Sequence, residues 1–245
     1  MYILTLPSLT SSANLLAEKL TYRTGKRIVV HTSPQIEAPS IRWGNSTGSF
    51  SNDTIFNDRK VIKLCGSKVA FSNYLSTTDI KFVELNSGVP ERYPIVIRTV
   101  LNGMGGDGIV LAKSEQEFLP YKSCYWSYYY PFKYEVGAHI LGGQLAKLFK
   151  KIWNGDGTEP EFPIRNLSRG YSFRRVGFKT KFDRLKVYLQ DLSNELGIQF
   201  GRADIGWDSN SKTYRAIEIN TAPALSNNEN TLEMYADFFY ERIFK

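Results

Sequence analysis

Around the polar run Asp208-Ser209-Asn210-Ser211-Lys212, apolar and polar residues alternate on both sides, and the alternation predicts a β-hairpin. With residue 207 opposite 213, one face carries Ala203, Ile205, Trp207, Ile217 and Ile219, with Arg215 as the exception. The other face carries Arg202, Asp204, Glu218 and Asn220. Two further apolar runs, Tyr93 to Val100 and Ile109 to Ala112, predict strands on either side of a glycine-rich loop, and residues 27–31 predict another. Helix signals appear at 11–24 (Ser11 or Ser12 as cap, Gly25 as stop), at 67–76 after Ser67, and at 182–196. The last sets Phe182, Leu185, Leu189, Leu192 and Leu196 at helical spacing before Gly197. Asn230-Thr231-Leu232-Glu233 reads as a capping box with Asn in the cap place, leading a helix to about Ile243. Residues 44–54, rich in Ser, Asn and Gly, read as a loop or linker.

The polar hairpin face is the first candidate site. Opposed or diagonal neighbours there lie roughly 5–8 Å apart, which suits Asp204, Glu218 and Asn220 sharing a divalent cation, with Arg202 beside them. On spacing alone, a solvated hairpin face of ordinary charges fits equally well. The second candidate is the loop holding Gly103, Gly105, Gly106 and Gly108. Glycines let backbone N–H groups approach phosphate oxygens, and Arg98, a charge inside the preceding strand, asks for an anionic partner. The loop lacks the Gly-Lys-Ser/Thr of a P-loop, and a strand rather than a helix follows it. A mobile hairpin fits the loop as well as a phosphate site does.

In order along residues 41–240, these segments and several others resemble the ATP-grasp superfamily of carboxylate–amine ligases. The likeness is nearest to ribosomal-protein glutamate ligases and related phage-type proteins. Ile41-Arg42-Trp43-Gly44-Asn45 is similar to the end of a small N-terminal domain. The resemblance implies an α/β ATP-grasp fold, with an N-terminal α/β domain (1–56), a central lobe (57–130) and a C-terminal lobe (131–245). It implies ATP-dependent carbon–nitrogen ligation through an acyl phosphate. Lys68, Arg98, the glycine loop, hinge residues Tyr128, Tyr129 and Tyr130, and Lys133 would hold ATP. Asp204, Glu218 and Asn220 would hold Mg²⁺ or Mn²⁺. Arg202 and Arg165 would be catalytic, and Arg165, Asn166 and Arg169 would bind the acceptor. Two positions depart from the pattern: Gly137 stands where close relatives carry an arginine, and the hinge shows no carboxylate for the ribose. Segment 144–153 is helical by local spacing, yet the resemblance makes it a strand after Gly142-Gly143.

Composition narrows the field. A chain of 245 residues, 42% hydrophobic, can bury a sizeable core. It has no apolar run of about 18 residues, so no membrane partner is expected. Met1-Tyr2-Ile3-Leu4 lacks the basic start of a signal peptide, and two cysteines make neither a disulfide framework nor a zinc site, so a cytoplasmic setting is expected. His31 and His139 read as structural. The net charge is +7, and Arg165, Arg169, Arg174, Arg175, Lys179, Lys181, Arg184 and Lys186 face only Asp183 in their window. That run is a solvated face, or a dock for an acidic amino-acid or peptide acceptor, or a nucleic-acid surface with the tyrosine cluster stacking on bases. A nucleotide-binding relative without turnover and a basic nucleic-acid-binding module are the alternatives to a ligase.

Overall fold

The computed structural model describes residues 1–32, 40–47, 54–101, 106–177, 182–225 and 229–245. Its elements are β1 (Tyr2–Thr5), α1 (Thr10–Thr24), β2 (Val29–His31), β3 (Ser40–Trp43), β4 (Thr54–Ile55), α2 (Arg59–Gly66) and α3 (Lys68–Leu75). They continue with β5 (Ile95–Arg98), β6 (Ile109–Ala112), α4 (Glu115–Phe118), β7 (Tyr125–Tyr128), β8 (Tyr134–Leu141) and β9 (Gln144–Trp153). The chain ends with β10 (Tyr171–Arg175), α5 (Asp183–Leu196), β11 (Phe200–Asp208), β12 (Thr213–Asn220) and α6 (Glu229–Phe244).

Three sheets form: parallel β2-β1-β3-β4, antiparallel β6-β5-β7, and a five-stranded antiparallel sheet β10-β9-β8-β11-β12. Each has its own apolar cluster. On the first, α1 and α6 enclose Trp43, which stacks on Phe200 at 5.5 Å and meets Tyr235 edge-on at 5.6 Å. On the five-stranded sheet, Leu185, Leu189, Leu192 and Leu196 of α5, with Phe71 and Leu75 of α3, cover Val136, Ala138, Ile140, Ala203 and Ile205. That burial consumes one face of the sheet and leaves the opposite, front face to polar groups.

The glycine stops and the Ser67 cap are present, but α1 starts at Thr10 with Leu9 in the cap place and no side-chain cap bond, so Ser11 and Ser12 lie inside the first turn rather than capping it. Gly25 and Gly197 end α1 and α5 in the left-handed region (φ +64° and +71°), where a glycine costs least. The Ser67 hydroxyl accepts the Ala70 N–H at 3.3 Å. The capping box at 230–233 is corrected. Asn230 lies inside the first turn of α6, and the Glu233 carboxylate is taken by Lys19, at 2.6 Å, and by Arg23. Segment 144–153 is a strand: its neighbours β8 and β10 satisfy its backbone, and tertiary pairing overrides the local helical spacing. Strand β2 starts at Val29 rather than Arg27, β5 is shorter than 93–100, and β4 begins at Thr54 within the expected linker.

Hairpin register also differs from expectation. Trp207 pairs with Tyr214, and the ladder slips between Asp204 and Ile205, so Ile217 has no direct opposite. Before the bulge, Arg202↔Asn220 and Asp204↔Glu218 keep the four polar residues together on the front. Beyond it the faces exchange. Tyr214 and Ala216 enter the core, Ile217 is only half-buried, and Arg215 turns to the front, over the Tyr130 ring at 4.7 Å and 3.4 Å from Asp208.

Candidate active site

The front face is laid out in rows by cross-strand register. One row runs Arg175, Phe149, Gly137, Asp204, Glu218, and the next Lys147, His139, Arg202, Asn220. Asp204 is buried, with Lys151 Nζ at 3.0 Å from Oδ2 and Arg202 Nε at 3.2 Å from Oδ1. Burial opposes its charge, but Lys151 and Arg202 outweigh that and hold the carboxyl below the usual range. Lys151 also donates to Glu135 Oε2 at 3.0 Å. Glu135 lies 3.6 Å from Arg165, whose guanidinium grips Glu159 through two hydrogen bonds of 2.8 and 3.2 Å. The result is an alternating chain of charge, Glu159, Arg165, Glu135, Lys151, Asp204, Arg202, whose four middle side chains are at most 10% exposed and whose two ends reach water.

Other expected site residues converge on it. Lys68, at the start of α3, lies 3.5 Å from Glu218. Arg98 is half-buried; burial disfavours its charge, and Glu218 favours it. Gly106 packs against Asn166 so closely that a Cβ there would lie 1.9 Å from Nδ2, a buried amide nitrogen with no hydrogen-bond partner among the described residues. Arg169 donates to the Ile109 carbonyl at 2.8 Å. The stretch expected at the acceptor therefore touches the end of the glycine hairpin. Gly108, with φ +68°, bonds through its carbonyl to the Thr99 N–H at 2.8 Å. Gly103 and Gly105 lie outside the described residues.

The hinge tyrosines diverge. Tyr128 packs under Arg92 at 4.4 Å, Tyr129 meets Phe162 edge-on at 5.3 Å, and Tyr130 is held between Phe132 and Arg215. Lys133 is exposed just before β8. The basic window does not form one surface. Arg165 is spent on Glu135 and Glu159, and Lys186 on Asp183. Arg174 and Arg175, adjacent on a strand, point to opposite faces, and Lys179 and Lys181 lie outside the described residues.

Sequence reasoning missed Lys151. A hairpin turning at Gly142-Gly143 continues from Leu141↔Gln144 to pair residue 135 with 150. A slip at His139/Ile140 moves Lys150 opposite Val136, and Lys151 then reaches Glu135. The Lys150-Lys151 doublet was a signal, but its register was not.

The donor set fits a hard divalent cation. Asp204, Glu218 and Asn220 offer only oxygens, and the Ala222 N–H at 2.8 Å orients the Asn220 carbonyl. Among the described residues no three His, Cys, Asp or Glu side chains form a complete cage, so phosphate oxygens and water would have to fill the shell.

His139, behind Arg202, is buried, with Nδ1 3.1 Å from the Tyr235 hydroxyl. Burial, then Arg202 and Lys147, push it down to about 3. The unfolded state binds a proton near pH 6.5 that the folded state refuses, so this contribution is complete above 6.5 and erodes as pH falls toward 3. Urea unfolding at pH 7 and pH 5 should show a loss of about 2 kcal/mol from this group, and His139→Gln should abolish that part.

The three sheets and their order make the ATP-grasp fold. No protein-family model and no curated protein matches the sequence. Among solved structures, the chain is similar to a RimK domain ATP-grasp protein from Sphaerobacter thermophilus (14% identity, 97% of this chain and 98% of that one, TM-score 0.66). It is similar to D-alanine–D-alanine ligase from Bacillus anthracis, solved with ATP (11% identity, 99% and 97%, TM-score 0.67). A third is a RiPP-associated ATP-grasp ligase from Chryseobacterium gregarium, in complex with ADP and a leader and core peptide (11% identity, 98% and 96%, TM-score 0.65). Identities this low establish the fold.

Proposed function

We propose that this chain is an ATP-dependent carboxylate–amine ligase acting through an acyl phosphate, with a peptide-like, acidic acceptor. The observation that carries the reading is that Asp204 and Glu218 are cross-strand neighbours on one sheet face, with Lys68 of α3 3.5 Å from Glu218 and Arg98 of β5 near enough for Glu218 to favour its charge, within an ATP-grasp fold. A carboxylate oxygen attacks the γ-phosphorus and ADP leaves; an amine then attacks the acyl carbon, and phosphate leaves as the amine gives up a proton. Lys68 and Arg98 hold phosphate oxygens, Gly106 and Gly108 admit the backbone close to them, and Arg202 neutralises charge at the acyl centre. A cation held by Asp204, Glu218 and Asn220 (Mg²⁺, replaceable by Mn²⁺) supplies charge neutralisation on the phosphates. Tyr128, Tyr129, Tyr130 and Lys133 border the adenine, and Asn166 and Arg169 the acceptor. Two free thiols, Cys65 and Cys124, agree with a cytoplasmic setting. Among the described residues no helix is long and apolar enough to cross a membrane.

Arg98→Ala should weaken nucleotide binding by about tenfold or more, as for a charge-assisted hydrogen bond. Calorimetry with ATP and Mg²⁺ measures it, and normal binding by the folded variant would remove the hairpin from the phosphate site.

The overall test is ADP release that depends on an added amine, with mass spectrometry of the product. With an acidic peptide the rate should fall steeply as salt rises past physiological strength. Arg175→Glu should raise the acceptor KM and leave that for ATP nearly unchanged. Arg175 is exposed on the front face, beside Lys147. A rate indifferent to salt would reduce the basic run to a solvated face.

A further inference from the structure

We propose that Lys151 is a built-in counter-cation that makes metal binding conditional on nucleotide. Its ammonium lies between Glu135 and Asp204, 3.0 Å from each, and only 9% of the side chain is exposed. This rests on the reading that Asp204 and Glu218 hold a nucleotide-associated cation.

The geometry is specific. Lys151 starts on β9 and Asp204 on β11, so the side chain must cross β8, a path of two strand spacings, roughly 9–10 Å. The β8 position opposite both Phe149 and Asp204 is Gly137. A Cβ at that glycine would meet the Phe173 ring at 3.2 Å and Arg202 Cδ at 3.4 Å. The ring also lies 5.9 Å from the Lys151 ammonium and 5.1 Å from the Arg202 guanidinium. The bare glycine thus leaves room for Arg202 and the Phe173 ring to lie close beside Asp204, on which Lys151 and Arg202 both close.

A divalent ion arriving alone would meet Lys151 and Arg202 already on Asp204, and both repel it at short range in a dry site. Nucleotide changes the balance. Its phosphates offer those cations another anionic partner and release the carboxylate oxygens toward the metal. Metal and nucleotide then bind as a unit, and a bare metal ion binds poorly.

The test is titration with Mn²⁺, followed by the electron-spin signal of the free ion, with and without a non-hydrolysable ATP analogue. Wild type should bind Mn²⁺ at least tenfold more weakly without the analogue. Lys151→Met keeps the chain's bulk without its charge, and should tighten binding of bare Mn²⁺ by roughly tenfold or more. Lys151→Arg should behave as wild type. If Lys151→Met unfolds, its combination with Glu135→Gln removes one charge of each sign and undergoes the same titration. Unchanged affinity for bare Mn²⁺ in the neutral variants, with analogue-dependent binding retained, overturns the counter-cation and leaves the nucleotide site standing. No Mn²⁺ binding by wild type even with the analogue overturns both.

Discussion

Glu218→Gln should lower turnover by a hundredfold or more and leave the melting temperature almost unchanged. Its carboxylate is 43% exposed, with Lys68 3.5 Å away and Arg98 near enough for Glu218 to favour its charge, and pairs made by so exposed a carboxylate contribute little to stability. What is lost is a charged oxygen on the proposed metal and phosphate site. A hundredfold corresponds to about 2.7 kcal/mol of barrier, within what charge stabilisation at a metal supplies. Steady-state ADP release and calorimetry with ATP, with and without Mg²⁺, measure the effect. Equal ATP affinity in both conditions for wild type would remove the metal from the site.

Asp204→Asn should cost the fold as well as the activity. Asp204 is buried between Lys151 and Arg202, and the neutral amide leaves their two positive charges facing each other with only Glu135 to answer them. Breaking a buried pair from one side typically costs about 3–5 kcal/mol. In a chain of this size that lowers the melting temperature by about 6–20 °C. Thermal melts beside those of Glu218→Gln separate the two carboxylates: one is bound into the charge chain, the other stands at its edge. A melting temperature for Asp204→Asn equal to that of wild type would mean that the chain of charge does not stabilise the fold.

Much of this was legible in the sequence because the signals were local. Gly25, Ser67 and Gly197 fix helix ends through the geometry of single residues. Leu185, Leu189, Leu192 and Leu196 define the buried side of α5 by spacing alone. The alternation around Asp208-Ser209-Asn210-Ser211-Lys212 placed Arg202, Asp204, Glu218 and Asn220 on one face, and the order of motifs pointed to the ATP-grasp fold that the structure has. Local pattern failed wherever a partner strand decided the outcome. Segment 144–153 has helical spacing and is a strand, because β8 and β10 take its backbone hydrogen bonds.

Two one-residue slips, at His139/Ile140 and at Asp204/Ile205, were invisible along the chain, since each depends on how one strand sits against another. They have large consequences because side chains alternate with a period of two. One slip brings Lys151 to Glu135 and on to Asp204. The other sends Arg215 to the front and Tyr214 into the core. The sequence by itself determined which oxygens share a face. Only the tertiary structure decided which cations sit on them, because that depends on register across three strands, and no window of contiguous residues contains it.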